Sequence, residues 1–92
     1  MGLQGFGEEA ELLRTMGHPI RLNILKLLLE DDACVKNIWG CLEIPQATIS
    51  QHLAILKHKG IVTARREGAM VRYSVSDPKV RNILKAMTEE SP

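Results

Sequence analysis

Residues 46–59, QATISQHLAILKHK, carry the side chains best suited to recognition chemistry. Gln46, Ser50, Gln51, Lys57 and His58 share one face of a helix. Ile49, Leu53 and Leu56, spaced by four and three, form an apolar stripe on the other. Short amides, a hydroxyl and cations make a poor core and a poor oily interface. They suit donation to base edges and phosphates in a DNA major groove. Any amphipathic surface helix also has a polar outer face, so this helix alone favours DNA only weakly, and its surroundings decide the reading.

Those surroundings are specific. Leu42, Glu43, Ile44 and Pro45 read as a tight turn after a shorter apolar-periodic segment. Gly60 stands where a left-handed helix cap belongs. Residues 61–66 and 70–75 then read as two strands around Glu67, Gly68 and Ala69. Helix, turn and helix followed by a basic hairpin is a winged helix. Arg65 and Arg66 fall on that hairpin, beside phosphates or a minor groove if DNA is bound, or in solvent if it is not. His52 lies nearer the apolar stripe, and its expected role is structural hydrogen bonding rather than base reading.

The remaining reactive groups are Cys34 and Cys41, the only cysteines. Two are too few for a disulfide scaffold. Seven apart on an unbroken helix, they would share a face yet lie about 10.5 Å apart along the axis. A disulfide needs Cα atoms within roughly 7 Å, so a bridge within one chain requires unwinding near Gly40. Cys34 is expected at a helix start, where the N-terminal N–H groups lower a thiol pKa, with Lys36 as a further cation. For Cys41, packing as a small apolar residue and sensing are the two readings.

The elements that position these groups follow in order. Residues 1–7 hold three glycines and are expected to fray. Residues 8–16 make a helix with acids first and Leu12, Leu13 and Met16 later, broken by Gly17 and His18. Pro19 suits the first position of the next helix, whose apolar residues are Leu22, Leu25, Leu28 and Leu29, with Arg21 and Lys26 outside. Asp31 and Asp32 can cap a short helix over 33–42, with Val35, Ile38, Trp39 and Leu42 inward and Gly40 weakening its last turn. Val71, Tyr73 and Val75 alternate with Arg72, Ser74 and Ser76 as a half-buried strand. Asp77 caps a final helix that starts at Pro78 and carries Val80, Ile83, Leu84 and Met87. The expected order is helix, helix, helix, helix, strand, strand, helix: mainly α with a small β-hairpin, one domain over 8–88 and a polar tail over 89–92.

Composition agrees. The 92 residues make one small domain. An apolar fraction of 45% argues against disorder. With only Phe6, Trp39 and Tyr73 aromatic, the core must be aliphatic. Twelve basic and eleven acidic residues give a net charge of +1, so DNA affinity must come from local clustering. No apolar run approaches a membrane span, and no signal-peptide pattern opens the chain, so the expected location is a reducing cytoplasm.

HPIRLNILKLL, ISQHLAILKHKGIV and the hairpin ending VRYSV together resemble the ArsR/SmtB family of small bacterial winged-helix repressors. The resemblance runs from about Glu8 to Met87. It implies a homodimer built on the first and last helices, binding a two-fold double-stranded operator and released by an inducer. It implies base contacts from Gln46, Thr48, Ser50 and Gln51, with Lys57, Arg65 and Arg66 supporting on the backbone. It also implies dimer contacts from Leu12, Leu13, Ile83, Leu84 and Met87, which fits the surplus apolar surface of a small domain.

At the inducer the sequence departs from the family's patterns. Arsenite sensors carry a CVC pair; Cys34 matches the first cysteine, but Lys36 replaces the second. Zinc sensors place Asp and His ligands on the last helix. Asp77 matches, but Lys79 and Glu90 stand where imidazoles belong, and lysine is no zinc ligand at neutral pH. Cys34 and Cys41 are thus sensing candidates, and the cofactor expectation is a thiophilic metal or metalloid at Cys34, or none. The leading expectation is a homodimeric repressor released by a metal, metalloid or thiol-redox signal. The alternative is a winged-helix module with no inducer site, or one that binds a protein. No paired carboxylate, phosphate loop or nucleophile-base motif points to an enzyme.

Overall fold

The structure, a computed structural model, describes the backbone of residues 5–30 and 33–88, and the side chains of all of these except 33–37 and 39. The expectations for residues 1–4, the Asp31–Asp32 cap, the inward Val35 and Trp39, the Lys36 side chain and the tail at 89–92 lie outside the described residues. The elements are α1 (Gly7–Met16), α2 (Pro19–Glu30), β1 (Ala33–Cys34), α3 (Val35–Leu42), α4 (Gln46–His58), β2 (Val62–Glu67), β3 (Met70–Val75) and α5 (Pro78–Thr88). Among the described residues, no helix is long and apolar enough to cross a membrane.

The helix ends follow from local chemistry. Gly17 breaks α1, and His18 does more than separate two helices. Its Nδ1 accepts from the Ile20 backbone N–H at 3.1 Å, capping α2 just before Pro19. A Schellman arrangement ends α4: Gly60, at φ +75°, donates to the Lys57 carbonyl, and Ile61 donates to that of Leu56. Both Leu56 and Ile61 are fully buried, so the apolar contact that accompanies this motif is present. Asp77 Oδ1 accepts from the Lys79 N–H at 2.8 Å and caps α5. Gly68, at φ +64°, takes the first central position of the two-residue hairpin turn, the pattern of a type II′ turn.

One aliphatic core joins the helices to the sheet. Ile24, Leu25 and Leu28 of α2, Ile38 of α3, and Ile49, Leu53 and Leu56 of α4 meet Val62, Val75, Val80 and Leu84 from the sheet and α5. The sheet has three strands in the order β1-β3-β2, all antiparallel.

The third strand corrects the sequence reading. Ala33 and Cys34 do not open a helix. They lie extended and pair with Tyr73 and Arg72 of β3, and α3 starts at Val35, two residues later than expected. Pairing with the open edge of β3 satisfies backbone groups that a helix start would leave unpaired. Two further expectations change. Of the two readings of Cys41, packing fails, since it is an exposed free thiol. Leu84, expected at a dimer interface, is 1% exposed and belongs to the core.

Candidate nucleic-acid interface

Helix α4 presents two faces with different fates. Ile49, Leu53 and Leu56 anchor it in the core. Gln46, Ser50, Gln51, Lys57 and His58 are exposed, and Thr48 is half-buried at the edge. Among the described residues, the side chains of Gln46, Ser50, Gln51 and Lys57 make no hydrogen bond or ion pair within the chain. Their donors and acceptors are available to a ligand. The turn before α4 holds Glu43 at φ +55°, a left-handed conformation that ends α3 and sets the angle to α4.

The helix is also fixed by a polar contact on its inner edge. Arg21 Nε donates to His52 Nδ1 at 3.1 Å, and Arg21 Nη1 donates to the Thr15 carbonyl at 3.0 Å. One guanidinium therefore joins the end of α1, the start of α2 and the middle of α4. The rings of His52 and His18 lie 4.6 Å apart, tilted by 46°. Burial holds the His52 imidazole below its ordinary pKa, helped by the positive fields of His18 and Arg21. His52 is thus the structural hydrogen-bonder that its place near the apolar stripe suggested.

Arg21 is not on the outside. It is half-buried, and its spacing of three, four and seven to the buried Ile24, Leu25 and Leu28 is the signal that places it on the inner face.

The wing is the β2–β3 hairpin. Arg65 pairs with Arg72 and Arg66 with Val71, so the two neighbouring arginines point to opposite sides. Arg66 is exposed near the tip. Arg65 Nη2 donates to Glu67 Oε2 at 2.6 Å, and Arg72 Nε donates to Glu67 Oε1 at 3.1 Å. Sequence reasoning placed Arg72 on the outer face of its strand but gave it no role. The cross-strand register that sets it beside Arg65 is not visible in the sequence.

At the zinc position that the resemblance implies, the described residues fit a metal poorly. Asp77, the one match to the family's zinc position, spends a carboxylate oxygen on its helix cap. Lys79 is ion-paired to Glu9 at 2.7 Å. Among the described residues, no group of three or more His, Cys, Asp or Glu could hold a metal ion.

An exposed recognition helix on a packed helix-turn-helix, followed by a basic wing, defines a DNA-binding winged helix-turn-helix protein. The family profile described as "Bacterial regulatory protein, arsR family" matches residues 18–64. The chain is 44% identical over 88 residues to an uncharacterized HTH-type transcriptional regulator of Methanocaldococcus jannaschii, covering 95% of this chain and 99% of that one. It is 41% identical over 81 residues to the transcriptional repressor PagR of Bacillus anthracis, covering 87% of this chain and 81% of PagR. The PagR crystal structure superposes with a TM-score of 0.83, at 39% identity over 88% of this chain and 93% of that one. HlyU from Vibrio cholerae gives a TM-score of 0.83 at 34% identity, over 87% of each chain. The chain belongs to the arsR family, the family its sequence resembles. It is a DNA-binding transcriptional regulator, in a family of regulators rather than enzymes.

Proposed function

We propose that this regulator is a homodimeric repressor that binds a two-fold operator. The outer face of α4 carries the reading: its polar groups lack partners among the described residues, while its inner face is locked by Ile49, Leu53, Leu56 and His52. Gln46, Thr48, Ser50 and Gln51 read bases, and Lys57 and the wing arginines hold the backbone. In a dimer, two such helices enter successive major grooves about one helical turn apart.

Dimerisation is supported by what the terminal helices leave uncovered. Leu13 is 53% exposed and Met87 56%. Leu12 and Ile83 pack on the core yet remain half-exposed beside them. A partner's matching helices would cover this surface. Repression rather than activation follows PagR, named a repressor; HlyU of Vibrio cholerae is named an activator. The location is the cytoplasm, where a reducing environment keeps an exposed thiol such as Cys41 free.

Control is assigned to thiol chemistry. Cys34 directly precedes α3 and sits in the strand paired to the wing at Arg72, and Cys41 is exposed on α3. Helix α3 leads through the Glu43 turn into α4. A change at either thiol therefore has a short route to the DNA-reading face.

The test is titration against the chain's own upstream DNA and random DNA at matched salt, before and after peroxide, persulfide, arsenite and zinc. Tight binding of two chains to a two-fold site, weakened by one agent and not in Cys34→Ser, is expected. Equal affinity for upstream and random DNA contradicts the operator. A monomer in sedimentation at micromolar concentration that still binds tightly contradicts the dimer.

A further inference from the structure

The outer face of the wing carries a second constellation. Thr63, Arg65 and Glu67 alternate onto one side of β2, and Ser74 and Arg72 of β3 stand directly opposite Thr63 and Arg65. The Thr63 and Ser74 hydroxyls are 3.2 Å apart. Thr63, Arg65, Arg72 and Ser74 line a shallow pocket of about 120 Å³. That is room for a small tetrahedral oxyanion, since one water occupies about 30 Å³ of liquid. Like charges placed directly across a strand pair repel. Glu67 offsets that repulsion by placing one carboxylate oxygen on each guanidinium. Hydrogen bonds first from Arg65 and then from Arg72 hold its carboxyl below the usual carboxylate range, so it stays charged.

We propose that this cradle takes a DNA backbone phosphate, and that Glu67, beside the cradle rather than in its lining, is a positioning residue that competes with the phosphate for the two guanidinium groups. A phosphodiester offers two charged oxygens, as a carboxylate does, and guanidinium groups bind either. On DNA, a phosphate displaces Glu67 from one or both arginines. Until then Glu67 holds the two side chains at the cradle and offsets part of their charge. It therefore lowers affinity for DNA of any sequence and leaves discrimination to α4. This inference rests on the DNA-binding reading above and assigns it a residue that weakens binding.

The experiment measures Kd for a random-sequence duplex across a salt series. The proteins are the wild type, Glu67→Gln, Glu8→Gln, and the pair Arg65→Gln/Arg72→Gln with and without Glu67→Gln. Glu8 is an exposed carboxylate on α1, so its variant makes the same change in net charge away from the wing. Glu67→Gln is expected to tighten binding about 3- to 10-fold at low salt and to steepen the log–log salt slope by about 0.9. Glu8→Gln should do less, and the gain should vanish without the two arginines. Equal effects of Glu67→Gln and Glu8→Gln overturn the proposal, as does a gain that survives loss of the arginines. Inorganic phosphate at matched ionic strength is the remaining arm. If it shifts the Arg65 and Arg72 side-chain NMR signals while the DNA gain is absent, the cradle holds a free oxyanion and the DNA assignment fails. A wild-type protein that binds no DNA contradicts the DNA-binding reading itself; wild-type binding that ignores Glu67 contradicts only this inference.

Discussion

Helix α4 and the wing both face outward with polar side chains, yet they prepare those side chains differently. On α4 the inner face is held by three buried aliphatics and the Arg21–His52 contact, and the outer amides and hydroxyl have no partner among the described residues. On the wing the outer arginines are already engaged by Glu67. Groups without partners lose little when they meet bases, and a rigid helix fixes where they point. Arginines that must first release a carboxylate give less net binding. Under the proposed function, specificity and general affinity fall to separate elements and can be changed separately.

The largest expected effect comes from loosening the seat of α4. Leu53→Ala should cost about 2–5 kcal/mol of stability, as deletions from close-packed cores do. Urea unfolding measures it. A loss under about 1 kcal/mol would mean the site collapses freely and α4 is not anchored there.

On the wing, Arg66→Ala should weaken binding to operator and random DNA equally and reduce the salt slope by about 0.9, one phosphate contact. Arg65→Ala should change the slope less, because Glu67 already offsets that charge. Equal slope changes for the two would erase the distinction between the two sides of the wing.

The polar side of the seat gives a pH effect. The folded-state pKa of His52 lies below its ordinary value, so near that value the unfolded chain binds the extra proton. Stability from this group is intact above about pH 6.5, the unfolded imidazole value, and is lost as pH falls below it toward the folded value. Melting temperatures from about pH 7.5 to about pH 5 should fall for the wild type and fall less for His52→Gln. The carboxylates of Glu9, Glu11 and Glu67, all depressed by neighbouring cations, lose their contribution only in a lower window, below the ordinary glutamate range. Identical profiles for wild type and His52→Gln would remove His52 from the seat's electrostatics.

The smallest effect lies just upstream. Gly40 is exposed within α3, and a Cβ there meets no atom within 4 Å. Gly40→Ala should add about 0.5–1 kcal/mol, the difference in helix propensity. A destabilised variant would show that α3 needs the freedom of glycine.

Much of this was readable beforehand because it rests on local rules. The four-and-three spacing gave α4 and its inner face. Gly60, Asp77 and Pro78 marked helix ends that depend on backbone conformation and capping alone. The β1 strand was hidden because two residues carry no period, and only the exposed edge of β3 makes them extended. Cys41 was ambiguous because a thiol packs or faces solvent according to neighbours that are distant in sequence. Leu84 lay on an apolar stripe, and a stripe does not say whether its own core or a partner covers it. Arg72 became part of a site only through its register against Arg65.

Under the proposed function, sequence specificity resides on the outer face of α4. The direct measurement is the ratio of Kd for random DNA to Kd for operator DNA at one salt concentration, in wild type and in Ser50→Ala/Gln51→Ala. The ratio should fall by about 1–3 kcal/mol of discrimination per lost base contact, with the melting temperature nearly unchanged because both side chains are exposed. A double variant that keeps the wild-type ratio would contradict the assignment of base reading to this face.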